Sequence, residues 1–170
     1  MEHRDTVQAM QYEMMLLSRY QFRPHPRADG MLERSAFLLL SRLELVEPMT
    51  LKELSRALNL DISTVHRQVG ALLRSEHVEY VLGLPGEVAR RLAPTPAGLR
   101  ALIETRAINE EGLRGVMGGW PQKRREQFLT LLRRFNQDVE DLENTPWPRW
   151  GDARPTEPPT GSATGSATAE

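Results

Sequence analysis

The chain of 170 residues contains no cysteine. Disulfide bonds, thiolate zinc sites and thiol-based oxidation sensing are therefore excluded, and the composition fits a reducing compartment. No apolar run approaches the roughly 18 residues of a membrane-spanning helix, and the chain starts with charged residues instead of a signal peptide. These absences predict a soluble cytoplasmic protein with one folded domain and extensions.

Catalytic and metal-ligating patterns are also missing. The four histidines lie on unrelated stretches, and no spacing matches a serine-histidine-acid triad or a phosphate-binding loop. They are His3, His25, His66 and His77. The sequence therefore predicts a protein without enzymatic activity, cofactor or metal ion, in which His77 has a structural role near a helix end.

Lysine is scarce, since only Lys52 and Lys123 accompany the arginines. Arginine offers bidentate contacts to guanine or phosphate, although an arginine-rich composition is equally expected from a GC-rich genome. Residues 1–136 carry 20 basic and 16 acidic residues, a net charge of +4, and residues 137–170 carry 2 and 7, a net charge of −5. The overall charge of −1 therefore conceals a basic body that suits nucleic-acid binding.

The most informative part of the chain has the pattern of two short helices joined by a tight turn. Thr50 and Glu53 have the spacing of a capping box, which predicts that the first helix begins at Leu51. Asn59 is suited to end this helix because asparagine tolerates the left-handed conformation. Asp61 or Ser63 can then cap the second helix.

The second helix, within residues 49–78, has one apolar and one polar side. The residues predicted to be buried are Ile62, Val65, Val69, Leu72 and Leu73. The opposite side and its flanks hold Ser63, Thr64, His66, Arg67, Gln68, Gly70, Ala71 and Arg74. Such side chains can pair with base edges or phosphates, and the small Gly70 and Ala71 permit close approach to DNA. From this helix alone, an ordinary amphipathic helix with a solvated face explains the pattern equally well.

Two further helices precede this pair. Residues 4–22 predict a helix with a heptad-like apolar stripe that suits packing against another long helix, within the chain or from a second copy. An adaptable pocket lined by its methionines is the alternative. Residues 31–46 predict a helix that is largely buried at the centre of the fold, with Phe37 and Leu38 filling its other sides.

After the helix pair, the pattern changes to that of a β-hairpin. The alternating apolar residues are Val78, Tyr80 and Leu82. A turn at residues 83–86 and a return strand at residues 88–93 complete a two-stranded wing, from which Arg90 and Arg91 can reach phosphates or a minor groove. Without the preceding helix pair, a solvated edge would be the better interpretation of this hairpin.

Two long helices follow the wing. Thr95 and Pro96 supply a hydroxyl cap and a first-turn proline for one helix, which two glycines are expected to weaken or bend near its end. Residues 121–143 carry a clear heptad, which needs a partner, and the stripe of the N-terminal helix is available. The predicted dimerisation residues are Met10, Met14, Leu17, Phe128, Leu132, Phe135, Val139 and Leu142.

The C-terminal residues 145–170 have no apolar periodicity and are rich in proline, glycine, serine, threonine and acids. We interpret them as a disordered acidic tail. Trp147 and Trp150 are the exceptions, because they can fold back on the body as an anchor.

This order of elements resembles the MarR family of winged-helix transcriptional regulators. The resemblance covers roughly residues 5–143 and rests on LKELSRALNLDISTVHRQVGALLRSEHVE and on PTPAGL at residues 94–99, which corresponds to the usual Leu-Thr-x-x-Gly element. It implies a cytosolic homodimer with interlocked terminal helices, a pseudopalindromic DNA site, and commonly a small aromatic or lipophilic ligand in the cleft between dimer helices and DNA-binding lobe. The wing departs from the family, which commonly carries Asp-x-Arg or Asp-Arg-Arg where this chain has Gly86, Glu87 and Val88.

The sequence therefore predicts a mainly α fold with a small β-hairpin, in a winged-helix domain over residues 1–144. Its DNA-binding lobe spans about residues 32–98, and its dimerisation helices span about 4–22 and 96–143. The predicted DNA-binding residues are Lys52, Ser63, Thr64, His66, Arg67, Gln68, Arg74, Arg90 and Arg91.

The expected function is a dimeric DNA-binding transcriptional regulator, a repressor released by a small aromatic or lipophilic ligand. The alternative is a winged-helix dimer that acts as a protein-interaction module without sequence-specific DNA binding. The sequence does not assign a ligand pocket. The apolar candidates are Met10, Met14, Tyr20, Phe37 and Leu40.

Overall fold

In a computed structural model of the chain, the described residues are 2–19, 31–83 and 89–149. Within these ranges the elements in chain order are α1 (Glu2–Arg19), α2 (Arg34–Glu44), α3 (Leu51–Leu58), α4 (Ile62–Arg74), β1 (Val78–Val81), β2 (Arg91–Pro94), α5 (Pro96–Met117) and α6 (Gln122–Glu143). The prediction of a mainly α fold with a small β-hairpin is confirmed. None of the helices in the described ranges is long and apolar enough to cross a membrane.

Several predicted features lie outside the described residues. They are Tyr20, His25, most of the wing turn with Gly86, Glu87 and Val88, and the predicted tail from Trp150 onward.

The core lies in the lobe formed by α2, α3, α4, the hairpin and the start of α5. Its buried residues are Leu32, Leu39, Leu40, Leu43, Leu54, Val65, Val69, Leu72, Val78, Leu92 and Leu102. Burying each such side chain contributes on the order of 2 kcal/mol. Helix α2 is shorter than the predicted span of 31–46, and Leu38, which was expected to fill its other side, is 42% exposed. Only one side of α2 therefore belongs to the core.

The helix pair has the predicted local signals. Thr50 Oγ1 accepts a hydrogen bond from the Glu53 amide (3.2 Å), and the Glu53 carboxylate accepts one from the Thr50 amide (2.8 Å). Asn59 ends α3 in the left-handed conformation with φ 49°. Asp61 precedes α4 as expected, but its side chain does not cap the helix. Its backbone carbonyl instead accepts from the amides of Thr64 (3.0 Å) and Val65 (3.1 Å).

The two wing strands pair antiparallel, with Val78 opposite Pro94 and Tyr80 opposite Leu92. A short bridge adds Met49, whose backbone exchanges two hydrogen bonds with Leu92. The expected alternation holds for the buried Val78 and fails for Leu82, which is 97% exposed. Leu82 lies past the edge of the core, where no described residue covers its side chain.

Helix α5 is joined to the lobe at two levels. At its start, Thr95 Oγ1 accepts from the Gly98 amide (3.0 Å) and donates to the Glu76 carbonyl (2.6 Å). Three turns later, Arg106 forms a bidentate ion pair with Glu44 of α2. The helix continues to Met117, through the two glycines that were expected to weaken it.

Helices α1 and α6 expose their apolar sides. From Val7 onward, the large apolar side chains of α1 are mostly exposed, and α6 has no buried residue. After α6, residues 145–149 lie against α2 and α6, where Arg42 contacts Trp147 and Arg149 pairs with Glu140. Residues 145–149 are thus packed against α2 and α6, with the Trp147 ring against Arg42.

Candidate nucleic-acid interface

The orientation of α4 is fixed by one fully buried side. Val65 and Val69 are 0% exposed and Leu72 is 3% exposed, so these three residues bind the helix to the core. The prediction that Ile62 belongs to the same side is wrong, because its side chain is 54% exposed. Ile62 is the first residue of the helix and lies at the edge of the core, where its apolar side chain remains accessible.

The opposite side of α4 presents polar side chains to solvent. Ser63, His66, Arg67 and Arg74 are exposed, whereas Thr64 and Gln68 lie half-buried at the flanks. None of these six side chains forms a hydrogen bond or ion pair with another described residue of the chain. Four kinds of group, hydroxyl, amide, guanidinium and imidazole, are thus available on one helix face for base edges and phosphates.

Gly70 lies between these polar residues. A Cβ atom built at this position would contact only Nη1 of Arg74, at 3.5 Å, among the described residues. The packing of the lobe therefore does not require glycine here, although glycine costs about 1 kcal/mol relative to alanine inside a helix. A close approach of the α4 face to another molecule is one physical reason for this residue.

Helix α3 adds two cations next to α4. Lys52, which the sequence assigned to phosphate contacts, is exposed, and Arg56 follows it at the i+4 spacing that puts two residues on the same helix face. Neither side chain has a partner among the described residues. The sequence analysis missed Arg56, although its spacing from Lys52 was a usable signal.

The two wing arginines have different environments. The guanidinium of Arg90 lies 5.6 Å from the centre of the Tyr80 ring, a cation–π contact that leaves the residue exposed. Arg91 Nη1 instead donates to the Pro48 carbonyl (2.8 Å) and to Glu53 Oε2 (3.2 Å), and its side chain is 19% exposed. Arg91 thus connects β2 to the start of α3, and its guanidinium is committed to contacts within the lobe.

The close fit between α5 and β1 fixes where the wing begins. Gly98 is buried, and a Cβ atom at this position would lie 2.0 Å from the His77 carbonyl oxygen. The Thr95 amide donates to that same carbonyl (3.1 Å), and His77 Nδ1 lies 3.1 Å from Ser75 Oγ. The Thr-x-x-Gly element therefore acts through packing against the end of α4, and His77 has structural contacts.

The described part of the chain contains no group of three or more histidine, aspartate or glutamate side chains placed to hold a metal ion.

Comparison with known proteins agrees with this geometry. The family model for the IclR helix-turn-helix domain matches residues 36–81, which span α2 to β1. An HTH-type transcriptional regulator of Bacillus subtilis, YxaD, is 31% identical over 144 residues, which cover 83% of this chain and all of that protein.

Several solved structures share the fold. A MarR family protein from Bacillus stearothermophilus matches with a TM-score of 0.57 at 20% identity, over 81% of this chain and 89% of that one. The regulator PcaV of Streptomyces coelicolor, solved with its natural ligand, matches with a TM-score of 0.57 at 16% identity, over 76% and 92%. BpsR of Bordetella bronchiseptica, whose DNA binding is regulated by 6-hydroxynicotinic acid, matches with a TM-score of 0.54 at 19% identity, over 79% and 98%.

The sequence relationship to YxaD spans most of this chain, and the structural match to the Bacillus stearothermophilus protein extends over a similar share of it. The chain belongs to the HTH-type transcriptional regulators, and it shares the winged-helix fold of solved MarR family proteins.

Proposed function

We propose that this regulator is a homodimeric repressor that binds a pseudopalindromic double-stranded DNA site and is released from it by a small molecule. The observation that carries the DNA-binding part is the polar face of α4, whose six side chains have no described partner within the chain. An α-helix fits the major groove, where base edges carry a distinct pattern of donors and acceptors.

The residues divide into two kinds of contact. Side chains of α4 from Ser63 to Gln68 read bases, with Arg67 as the residue able to pair with both acceptors of guanine. The cations around them hold phosphates, which position the protein without reading sequence. These phosphate residues are Lys52, Arg56, Arg74 and Arg90. We assign Arg91 to positioning the wing, because its guanidinium already pairs with Glu53 and Pro48.

The exposed apolar surface of the terminal helices supports the dimer. On α6, Phe128, Leu132, Phe135 and Val139 are 36–46% exposed at the four-three-four spacing of a helix seam. Met10, Met14 and Leu17 of α1 are 47–59% exposed. Because the described chain leaves both stripes uncovered, a second copy is the partner we propose for them, together with Leu142. A two-fold dimer then presents its α4 helices to successive major grooves, about 34–36 Å apart.

Release by a small molecule is supported by the regulators that share the fold. BpsR responds to 6-hydroxynicotinic acid, and PcaV was solved with its natural ligand. Of the apolar residues considered from the sequence, Leu40 is fully buried in the core, whereas Met10 and Met14 are exposed on α1. As a DNA-binding regulator, the protein acts in the cytoplasm.

Two observations favour a second candidate, a winged-helix dimer that binds protein and not DNA. With Arg91 engaged inside the lobe, Arg90 is the remaining wing cation among the described residues, and the net charge of the chain is −1. Both features reduce the electrostatic attraction to DNA.

A mobility-shift titration with DNA from upstream of its own gene, at two salt concentrations, tests the proposal. We expect a shift that weakens steeply with salt, because each neutralised phosphate releases counterions. Light scattering on the same sample should give the mass of two chains. A dimer that gives no salt-dependent shift would favour the protein-binding alternative, and a monomer would contradict the proposed dimer.

A further inference from the structure

A cavity of about 230 Å³ lies between the end of α3, the last turns of α6 and residues 145–149. Leu58 and Val139 provide apolar walls, and Trp147 provides an aromatic one. The volume is below the roughly 300–1,000 Å³ typical of sites for drug-sized ligands, so a suitable occupant is compact, about one ring in size.

The charged side chains that line this cavity are acidic, and one of them, Glu140, is paired with Arg149, which is not among the described lining residues. Two carboxylates, Glu140 and Glu143, line it, and none of the ten described lining residues is lysine, arginine or histidine. The C-terminal ends of two helices also meet there, since Asn59 ends α3 and Glu143 ends α6. A helix C-terminus carries partial negative charge, and α6 has no basic residue in its last turn to offset it.

The aromatic wall is held in place by a short ion-pair network. Glu140 accepts hydrogen bonds from Arg149 and from the Trp147 amide (3.1 Å). On α2, Arg42 Nη1 donates to the Pro146 carbonyl (3.0 Å), and its guanidinium lies 5.2 Å from the centre of the Trp147 ring. The hydrogen bond from Arg149 lowers the pKa of Glu140, which keeps this carboxylate ionised. These contacts hold the Trp147 ring in position, and the ring already makes one cation–π contact, with Arg42.

We propose that this cavity binds a small organic cation, an aromatic amine or quaternary ammonium compound. The Glu143 carboxylate, which has no partner among the described residues, the C-terminus of α6 and the Trp147 ring all favour positive charge, whereas an aromatic acid would lie against that carboxylate. An occupant contacts α3, the first helix of the DNA-binding pair, and also α6. Any effect of the bound cation on DNA binding rests on the function proposed above, but the binding site itself does not.

Calorimetric titration of the full chain with benzyltrimethylammonium tests the site, with benzyl alcohol and benzoate as neutral and anionic probes of the same ring. We expect the cation to bind about tenfold or more tightly than benzoate, given the strength of a cation–π contact in a partly desolvated site. Equal affinity for cation and anion would overturn the assignment, as would the absence of binding by the cation.

Two substitutions at the end of α6 locate the site. Glu143→Gln should weaken the cation roughly two- to fivefold and leave benzyl alcohol unchanged, since an exposed charge pair is worth up to about 1 kcal/mol. Asp141→Asn removes the same charge from the same helix end without being among the described lining residues, and should change the affinity less than twofold. Equal losses in the two variants would overturn this site, because the cation would then respond to the total charge at the end of α6 and not to contact with Glu143.

The ring is tested by comparing Trp147→Phe, which keeps an aromatic surface, with Trp147→Leu. We expect the leucine variant to lose most of the preference for the cation, and circular dichroism checks that both variants are folded. These titrations contain no DNA. A failure of cation binding therefore overturns the site alone, and a failure of the mobility shift overturns the DNA-binding role alone.

Discussion

Replacement of Gly98 by alanine should destabilise the lobe, although the substitution lies in the first turn of α5, where alanine is intrinsically the better helix former. The helix preference favours alanine by about 1 kcal/mol. Against it stands the new Cβ atom, which would lie 2.0 Å from the His77 carbonyl oxygen and 2.9 Å from its carbonyl carbon. Both contacts are with backbone, which cannot rotate away as a side chain can.

Relief of this overlap requires α5 to move away from the junction of α4 and β1. That movement strains the hydrogen bonds of Thr95 with the backbone carbonyls of Glu76 and His77. Overpacking in cores costs typically 1–3 kcal/mol and occasionally more, so we expect Gly98→Ala to lower the free energy of unfolding by about 2 to 3 kcal/mol.

Urea denaturation at one fixed protein concentration measures this difference, because the stability of a dimer depends on concentration. Gly115→Ala is the matched control, since a Cβ atom on that residue of α5 meets nothing within 4 Å in the described chain. The control should be as stable as the parent or more stable by up to about 1 kcal/mol. If Gly98→Ala were equally stable, the account of the Thr-x-x-Gly element as a packing contact would be refuted.

Three further predictions concern the lobe and the C-terminal contact. Arg91→Ala should lower the free energy of unfolding, measured by urea titration, by about 1 to 3 kcal/mol, because it removes the hydrogen bonds to Pro48 and Glu53. Arg90→Ala should leave that free energy nearly unchanged and reduce the salt dependence of DNA binding, measured by mobility shift. Thr50→Ala removes the cap of α3 and should cost about 1 kcal/mol in the same denaturation assay, and no loss would contradict the observed capping box. The pKa of Glu140 is lowered chiefly by the hydrogen bond from Arg149, so its contribution to stability is complete above the ordinary value of 4.5 and is lost as pH falls through the lowered value. Glu140→Gln should therefore reduce the loss of stability that occurs as the pH falls below 4.5. If a pH series of urea titrations showed the same loss in the variant, the ion pair between Glu140 and Arg149 would not contribute to stability.

Short-range patterns predicted much of this fold. The capping box of Thr50 and the left-handed Asn59 involve residues within one helix turn, so a sequence carries the whole signal. The same holds for Thr95 at the start of α5 and for the apolar spacing of α4, which predicted that Val65, Val69 and Leu72 are buried. At the edge of the core the pattern failed, because apolar periodicity does not indicate how far the neighbouring elements extend. It predicted that Ile62 is buried, but this side chain is 54% exposed.

The contacts that sequence reasoning missed join distant parts of the chain. Arg91 and Glu53 are 38 residues apart, and Arg106 and Glu44 are 62 apart, so no local spacing indicates either ion pair. The consequence for the candidate site is direct. From the sequence, both wing arginines were predicted to contact phosphates. The tertiary structure distinguishes Arg91, which links β2 to the start of α3, from the exposed Arg90.

The function of the α4 face is tested most directly by DNA-binding titrations of Arg67→Ala and Arg74→Ala. Fluorescence anisotropy would compare the tightest site selected from a random pool with an unrelated sequence at the same salt concentration. We predict that Arg67→Ala costs roughly 1 to 3 kcal/mol on the selected site and little on the unrelated one, whereas Arg74→Ala weakens both alike. Equal losses on both sequences for Arg67→Ala would contradict base reading by α4.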